Sequence, residues 1–396
     1  MSGSPSPVPQ VITLGCRLNL SESEHLRSIA SAEDNLVIVN SCAVTNEAVR
    51  QTRQAIRRAR RANPDARLIV TGCAAETERA ALAAMDEIDG FVPNDRKLDP
   101  RSWNVPIGPE PSLGAHTRSF IGIQNGCDHS CTFCIIPQGR GHSRSLGIDA
   151  VLHAIEIDLK AGAKEVVLTG VDVTSWGHDL PGNPMLGALV LAILDRFPDL
   201  ARLRMSSLDG VEIDPLLLEL FESEQRVMPH LHLSLQHGHD LILKRMKRRH
   251  LRHDATALAA RLKAARPEIA IGADLIAGFP TETADHHRAN RSIIEELEIV
   301  HGHIFPYSPR RGTPAARMPQ IERQLVRERA AELRALVGRM RSAWLERQIG
   351  KTLPVLVEAD GTGHAPNFAR VAAPSQAQRG SIVEVTPSRI ENGLLI

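Results

Sequence analysis

Three early segments share one pattern: a β-branched apolar run, a small or polar residue, then a cysteine. They are Val11-Ile-Thr-Leu-Gly-Cys16, Leu36-Val-Ile-Val-Asn-Ser-Cys42 and Leu68-Ile-Val-Thr-Gly-Cys73. Short runs of this kind predict buried strands, with each cysteine just past a strand end. Helices are predicted after each run, at 21–31 (opened by a capping box, Ser21-x-x-Glu24), at 46–62 (closed before Asn63-Pro64) and at 76–88. Alternating strand and helix predicts a parallel sheet whose C-terminal strand ends share one edge, where ligand sites of open α/β sheets form. Cys16, Cys42 and Cys73 are thereby expected at one place.

A Pro/Gly-rich stretch, 92–114, reads as a linker with short structure near Trp103. After it, strands are predicted at 118–123, 165–169, 202–206, 231–235, 269–275 and 301–305. Helices fall between them at 145–162, 184–197, 213–224, 238–264 and 282–298, with a last one at 321–348. Six βα units predict a partial (βα)6, TIM-like barrel with its site at the C-terminal strand ends. From Gly350 the pattern changes to short strands at 353–358, 367–371, 381–385 and 393–396. So small a β domain needs to dock on the barrel. The expected class is α/β in three parts: an open parallel sheet domain over 8–100, the barrel over 114–349 and the β domain over 350–396.

In a chain of 396 residues no apolar run reaches the length of roughly 18–20 that spans a bilayer. Met1 to Gln10 is Ser/Pro-rich and lacks the basic and apolar regions of a signal peptide. The expected setting is a reducing cytoplasm, where six cysteines are ligands or nucleophiles rather than disulfides. A net charge of +1 gives no overall nucleic-acid signal, and 3% aromatic residues leave little for base stacking. Local charge is less even: Arg50, Arg53, Arg57, Arg58, Arg60 and Arg61 crowd one predicted helix, and Lys244, Arg245, Lys247, Arg248 and Arg249 crowd another stretch. Each run is either a phosphate-holding patch or a solvated face.

The segment Cys127-Asp-His-Ser-Cys131-Thr-Phe-Cys134 places three thiols on one loop after the first barrel strand. Three cysteines can bind three irons of a [4Fe–4S] cube and leave the fourth iron open, unlike a four-cysteine ferredoxin set. The alternative is a Cys3His zinc site using His129, although no second ligand pair lies nearby. Cys16, Cys42 and Cys73 form a second three-thiol set, with buried apolar cysteines as the alternative. The pairs His230/His232, His237/His239 and His286/His287 invite a metal reading. No carboxylate partner or third ligand is evident in the sequence, so ordinary core or surface histidines are expected.

The C-x3-C-x2-C spacing resembles the radical S-adenosylmethionine (SAM) superfamily. The pair of three-cysteine sets and the small C-terminal β domain resemble the methylthiotransferase family over nearly the whole chain. Further matches are Leu168-Thr-Gly170, Arg204-Met-Ser-Ser-Leu208, Leu231-His-Leu-Ser-Leu-Gln-His237, Asp274-Leu-Ile-Ala-Gly-Phe-Pro280 and Phe305-Pro-Tyr-Ser308, all expected at or just past strand ends. The resemblance implies two [4Fe–4S] clusters, one on Cys127, Cys131 and Cys134 that cleaves SAM, and one on Cys16, Cys42 and Cys73 that carries the transferred sulfur. It further implies a SAM pocket that includes Phe133, Thr169, Gly170, Ser206 and Gln236, and a TRAM-like C-terminal domain. It also implies binding of a tRNA anticodon stem-loop by Arg50, Arg53, Arg57 and Arg58, an electron donor such as flavodoxin or ferredoxin, and a monomer without membrane attachment.

Asn40-Ser-Cys42-Ala-Val-Thr45-Asn46, followed by Arg50-Gln-Thr-Arg53-Gln-Ala-Ile-Arg57-Arg58, is similar to the branch that acts on N6-threonylcarbamoyladenosine. Ser207-Leu-Asp209 and the run Pro306 to Arg317 point the same way. The alternatives are methylthiolation of isopentenyladenosine in tRNA or of a ribosomal-protein aspartate, and, from another class, a non-enzymatic RNA-binding iron–sulfur redox sensor. One departure from the family is Gly278-Phe-Pro-Thr281-Glu282, where a second glycine is usual. The other is the shortness of the β domain.

Overall fold

The computed structural model describes residues 10–31, 35–103 and 117–396. Most of the Ser/Pro-rich N-terminus and the later part of the 92–114 stretch lie outside the described residues. The chain divides into two units. One takes the residues up to Gly114 together with Asn125–Arg144 and Ser308–Thr313, and the other takes Ala115–Gln124, Ser145–Tyr307 and Pro314–Ile396.

In the first unit the strands Gln10–Thr13, Leu36–Ser41, Arg67–Gly72 and Gly90–Phe91 form a parallel sheet in sequential order. Alternation along the strands separates two cores. Val37, Val39, Leu68 and Val70 pack with Ile56 of the helix Asn46–Ala62, while Leu36, Ile38 and Ile69 pack with Leu26 and Trp103 on the other face. Thr45 caps the helix Asn46–Ala62 by accepting a hydrogen bond from the Ala48 amide at 3.1 Å.

The first helix is Arg17–Ala30 and begins right after Cys16, so the Ser21 capping box is not a helix start. Ser21, Glu22 and Ser23 are instead buried in its interior. The Asn40 amide explains this, donating to the Asn19 carbonyl at 3.0 Å and to Ser23 Oγ at 3.1 Å and holding the first turns against the sheet. The third helix, expected over 76–88, is two short helices, Cys73–Thr77 and Arg79–Ala83, the first beginning at the cysteine itself. The stretch from Val92 to Trp103 is no loose linker: Asn94, Lys97 and Trp103 are buried, and Trp103 Nε1 donates to the Lys97 carbonyl at 2.7 Å.

In the second unit Arg118–Gly122, Glu165–Thr169 and Arg202–Met205 form one parallel sheet, and Ser207–Leu208, His230–Gln236, Ala270–Ala277 and Ile299–Pro306 form the next. Ser206 is the break between them, so six strand positions follow in sequence order with helices between, as six βα units require. The helix expected over 238–264 is broken into Asp240–Arg245 and Arg252–Ala265. Lys247 adopts φ +56 between them, and Arg248 and Arg249 are drawn to Asp209 at 2.8 and 3.1 Å.

The C-terminal sheet adds two short strands, Thr362–His364 and Ile390–Glu391, to the four expected. It docks at the N-terminal ends of the barrel strands. Arg202 donates to the His364 and Pro354 carbonyls at 3.0 and 2.6 Å, Arg118 pairs with Glu358 at 2.9 Å, and the Arg204 guanidinium lies 4.9 Å from the centre of the Phe368 ring. Among the described residues no helix is long and apolar enough to cross a membrane.

Candidate functional site

All six cysteines fall in the first unit. Cys16 and Cys42 follow the strands Gln10–Thr13 and Leu36–Ser41, and Cys73 directly follows Arg67–Gly72, so the sheet edge gathers all three as the strand pattern requires. The Cys42 thiol is pushed up to about 11, first by burial and then by the neighbouring sulfurs of Cys73 and Cys16, against a lowering hydrogen bond from Val44. Gly15, at φ +94, is required here: a Cβ would stand 2.7 Å from Cys42 Sγ.

Two buried cations border this set. Arg140 closes the helix Ile136–Arg140, which follows the loop of Cys127, Cys131 and Cys134. Its guanidinium donates to Glu22 at 2.8 and 3.0 Å, to Asn125 Oδ1 at 2.7 Å and to Asn19. Lys97 Nζ reaches Glu22 at 2.6 Å and Asn40 Oδ1 at 3.2 Å. Burial would raise the Glu22 carboxyl, but Lys97 and Arg140 outweigh it and hold the group below the usual range. Burial would likewise depress Arg140, yet Glu22 and the sulfurs of Cys73 and Cys16 hold it more firmly protonated than usual. One carboxylate against two cations leaves an excess positive charge beside three thiols. That charge suits a negatively charged thiolate-ligated cluster, although burial outweighs it at the Cys42 thiol itself. Asn94 adds a donor 3.9 Å from Cys73 Sγ, with its amide also donating to the Gly139 carbonyl at 2.6 Å.

On the loop, the Ile136 amide donates to Cys134 Sγ at 3.4 Å, and the Cys127 amide donates to the Gly141 carbonyl at 3.1 Å. Among the described residues neither cysteine set brings its three sulfurs within 4.8 Å of one another. Tetrahedral zinc with Zn–S bonds of about 2.3 Å would place them roughly 3.8 Å apart. Three thiols in each set are the donors that a [4Fe–4S] cube with one open iron would take.

Thr169 ends its strand, Gly170 follows it, Ser206 marks the break between the two barrel sheets and Gln236 ends the fourth strand at φ +68. These four share the C-terminal side of the second unit, and the Ser206 amide donates to the Leu168 carbonyl at 3.0 Å. Phe133 is half-buried on the cysteine loop of the first unit. The quoted motifs do not all sit at strand ends: Arg204, His232 and Asp274 lie within their strands, and Arg204 is engaged by Glu165 at 2.8 Å.

The two basic runs diverge. Arg60 is consumed by Asp89 at 2.5 Å and by three backbone carbonyls, whereas Arg50 and Arg57 make exposed pairs with Glu47 and Glu87. Arg53 and Arg58 make no ion pair among the described residues. In the second run Arg248 and Arg249 serve Asp209, so that stretch is largely structural. The histidines also differ from expectation, because folding supplies carboxylates the sequence did not reveal: Asp274 for His232, Glu282 for His237 and Glu332 for His287. Sequence reasoning missed Glu22, Lys97 and Arg140. Asn46 and Arg310, from two separate quoted segments, bond each other at 2.6 Å within the first unit.

Models of the radical SAM superfamily and of the uncharacterized protein family UPF0004 match residues 121–291 and 9–93. The threonylcarbamoyladenosine tRNA methylthiotransferase MtaB of Rickettsia prowazekii (strain Madrid E) is 42% identical, covering 98% of this chain and 96% of that protein. The MtaB of Bacillus subtilis (strain 168) is 33% identical over 87% of this chain and 84% of its own. The tRNA-2-methylthio-N(6)-dimethylallyladenosine synthase of Erythrobacter litoralis (strain HTCC2594) is 30% identical over 95% and 93%. Among solved structures, the radical S-adenosylmethionine methyltransferase TsrM from Kitasatospora setae aligns with a TM-score of 0.51 at 17% identity, over 76% of this chain and 69% of that one, a likeness of fold alone. The chain belongs to the radical SAM methylthiotransferase family, in its MtaB-type branch.

Proposed function

We propose that this enzyme adds a methylthio group to C2 of N6-threonylcarbamoyladenosine beside the anticodon of tRNA. The observation that carries the reading is full-length similarity at 42% to a relative named for that nucleoside, against 30% to one named for dimethylallyladenosine.

Cys127, Cys131 and Cys134 would hold one [4Fe–4S] cluster and Cys16, Cys42 and Cys73 another, the first supplying the electron that cleaves SAM and the second the sulfur. Cys42 and Cys73 are buried and Cys16 is exposed, so the sulfur-bearing side is open to solvent at Cys16. Lys97 and Arg140 hold positive charge beside those sulfurs, and Glu22 fixes both cations in place. Thr169, Gly170, Ser206 and Gln236, with Phe133, are assigned to SAM. Arg50, Arg53, Arg57 and Arg58 are assigned to phosphates of the anticodon stem, with Arg53 and Arg58 the better placed. The domain division 8–100, 114–349 and 350–396, a TRAM-like role for the last part, a monomeric state, reduction by flavodoxin or ferredoxin and a cytoplasmic setting belong to the same reading.

Nucleoside mass spectrometry of tRNA from a deletion strain tests it. Loss of 2-methylthio-threonylcarbamoyladenosine supports the proposal; loss of the isopentenyl counterpart instead moves the enzyme to the other branch.

A further inference from the structure

Three parallel barrel strands bring together residues that their separate motifs do not connect. Leu231, Leu233 and Leu235, with Ile271, Ala273, Leu275 and Ile304, belong to the main hydrophobic core of the second unit. Side chains alternate along a strand, so His232, Asp274 and His303 stand on the face opposite that core. Asp274 is the register partner of His303. Asp274 Oδ1 lies 3.1 Å from His232 Nε2 and 3.0 Å from His303 Nδ1. One ligand atom from each of the three residues lies within 4.8 Å of the other two.

Two ligand atoms bound at about 2.1 Å on one tetrahedral zinc ion stand roughly 3.4 Å apart. The two separations fall a few tenths of an ångström short of that spacing, and both nitrogens converge on the same oxygen. The His232 ring is held in place from behind: it lies against Gly272, where a Cβ would come 2.3 Å from His232 Nδ1. Access is graded from a buried His232 to His303, whose side chain is 62% exposed, so an ion can enter from solvent. Two imidazoles and one carboxylate are the donors that borderline divalent metals select, and three protein ligands leave positions for water or another oxygen donor.

We propose that His232, Asp274 and His303 form a binding site for a divalent transition-metal ion, separate from the six cysteines. Zinc is the probe. Full-length protein is reconstituted until iron reaches about eight per chain, as two four-iron clusters require. It is then dialysed against micromolar Zn2+, and zinc and iron are measured together by mass spectrometry. Wild type is expected to retain one zinc beyond its iron. His303→Ala and Asp274→Asn are expected to weaken zinc binding at least tenfold with iron unchanged. The exposure of His303 keeps its variant folded, so a loss of zinc there is not a loss of structure. Absence of retained zinc in wild type, or equal zinc in both variants, would overturn the proposal and leave the three residues a hydrogen-bonded network.

Discussion

Arg140 donates to both carboxylate oxygens of Glu22, at 2.8 and 3.0 Å, with both side chains shut away from solvent. The pair joins the helix Ile136–Arg140, which follows the loop of Cys127, Cys131 and Cys134, to the helix Arg17–Ala30, which follows Cys16. Glu22→Gln would leave Lys97 and Arg140 buried without their counter-charge, a loss of about 3–5 kcal/mol. The pH dependence has a defined sign. Glu22 has a folded pKa below its ordinary value, so its contribution is present above the unfolded carboxylate range and is lost as pH falls through the folded value. Urea titrations from pH 7 down to pH 3 should therefore show wild type losing stability more steeply than Glu22→Gln. Parallel curves would remove the pair from this role.

In the proposed function Arg53 and Arg58, which make no ion pair among the described residues, meet tRNA phosphates. Reversing both to glutamate should weaken tRNA binding about tenfold and lower the slope of log K against log salt by about 2. Filter binding across a salt series measures both quantities. An unchanged affinity and slope would make the arginine run a solvated face.

Thr281 adopts φ +68, a left-handed conformation that is a genuine outlier for a β-branched residue. Arg245 donates to Thr281 Oγ1 at 2.7 Å, which ties the turn down. Thr281→Ala and Thr281→Gly both lose that bond, but only the second relieves the backbone, so the glycine variant should be more stable than the alanine variant by about 1 kcal/mol. Thermal denaturation of the two side by side decides it.

Strand-end cysteines were legible because β-branched runs mark buried strands and parallel topology then places their ends. The six barrel strands were legible for the same reason. The start of the first helix was not, since Ser21 and Glu24 form a valid local cap signal and the interactions that bury Ser23 come from Asn40 on the next strand. Nor was the cationic pair beside the cysteines, because Arg140 meets Glu22 across 118 residues of chain. His232 and Asp274 likewise meet only through sheet pairing, and no periodicity in either segment announces it. Local pattern reports what a residue does within its element; charges that find partners across elements are seen only in the fold.

In the proposed function the two cysteine sets have separate work. Reconstituted enzyme, SAM, reductant and a tRNA bearing threonylcarbamoyladenosine should give both 5′-deoxyadenosine and the methylthiolated nucleoside. Cys127→Ala should give neither product. The decisive measurement is chromatography with mass spectrometry of both products from Cys42→Ala. That variant should give 5′-deoxyadenosine at near wild-type level and no methylthiolated nucleoside. Loss of 5′-deoxyadenosine from Cys42→Ala, with iron still on Cys127, Cys131 and Cys134, would contradict that separation.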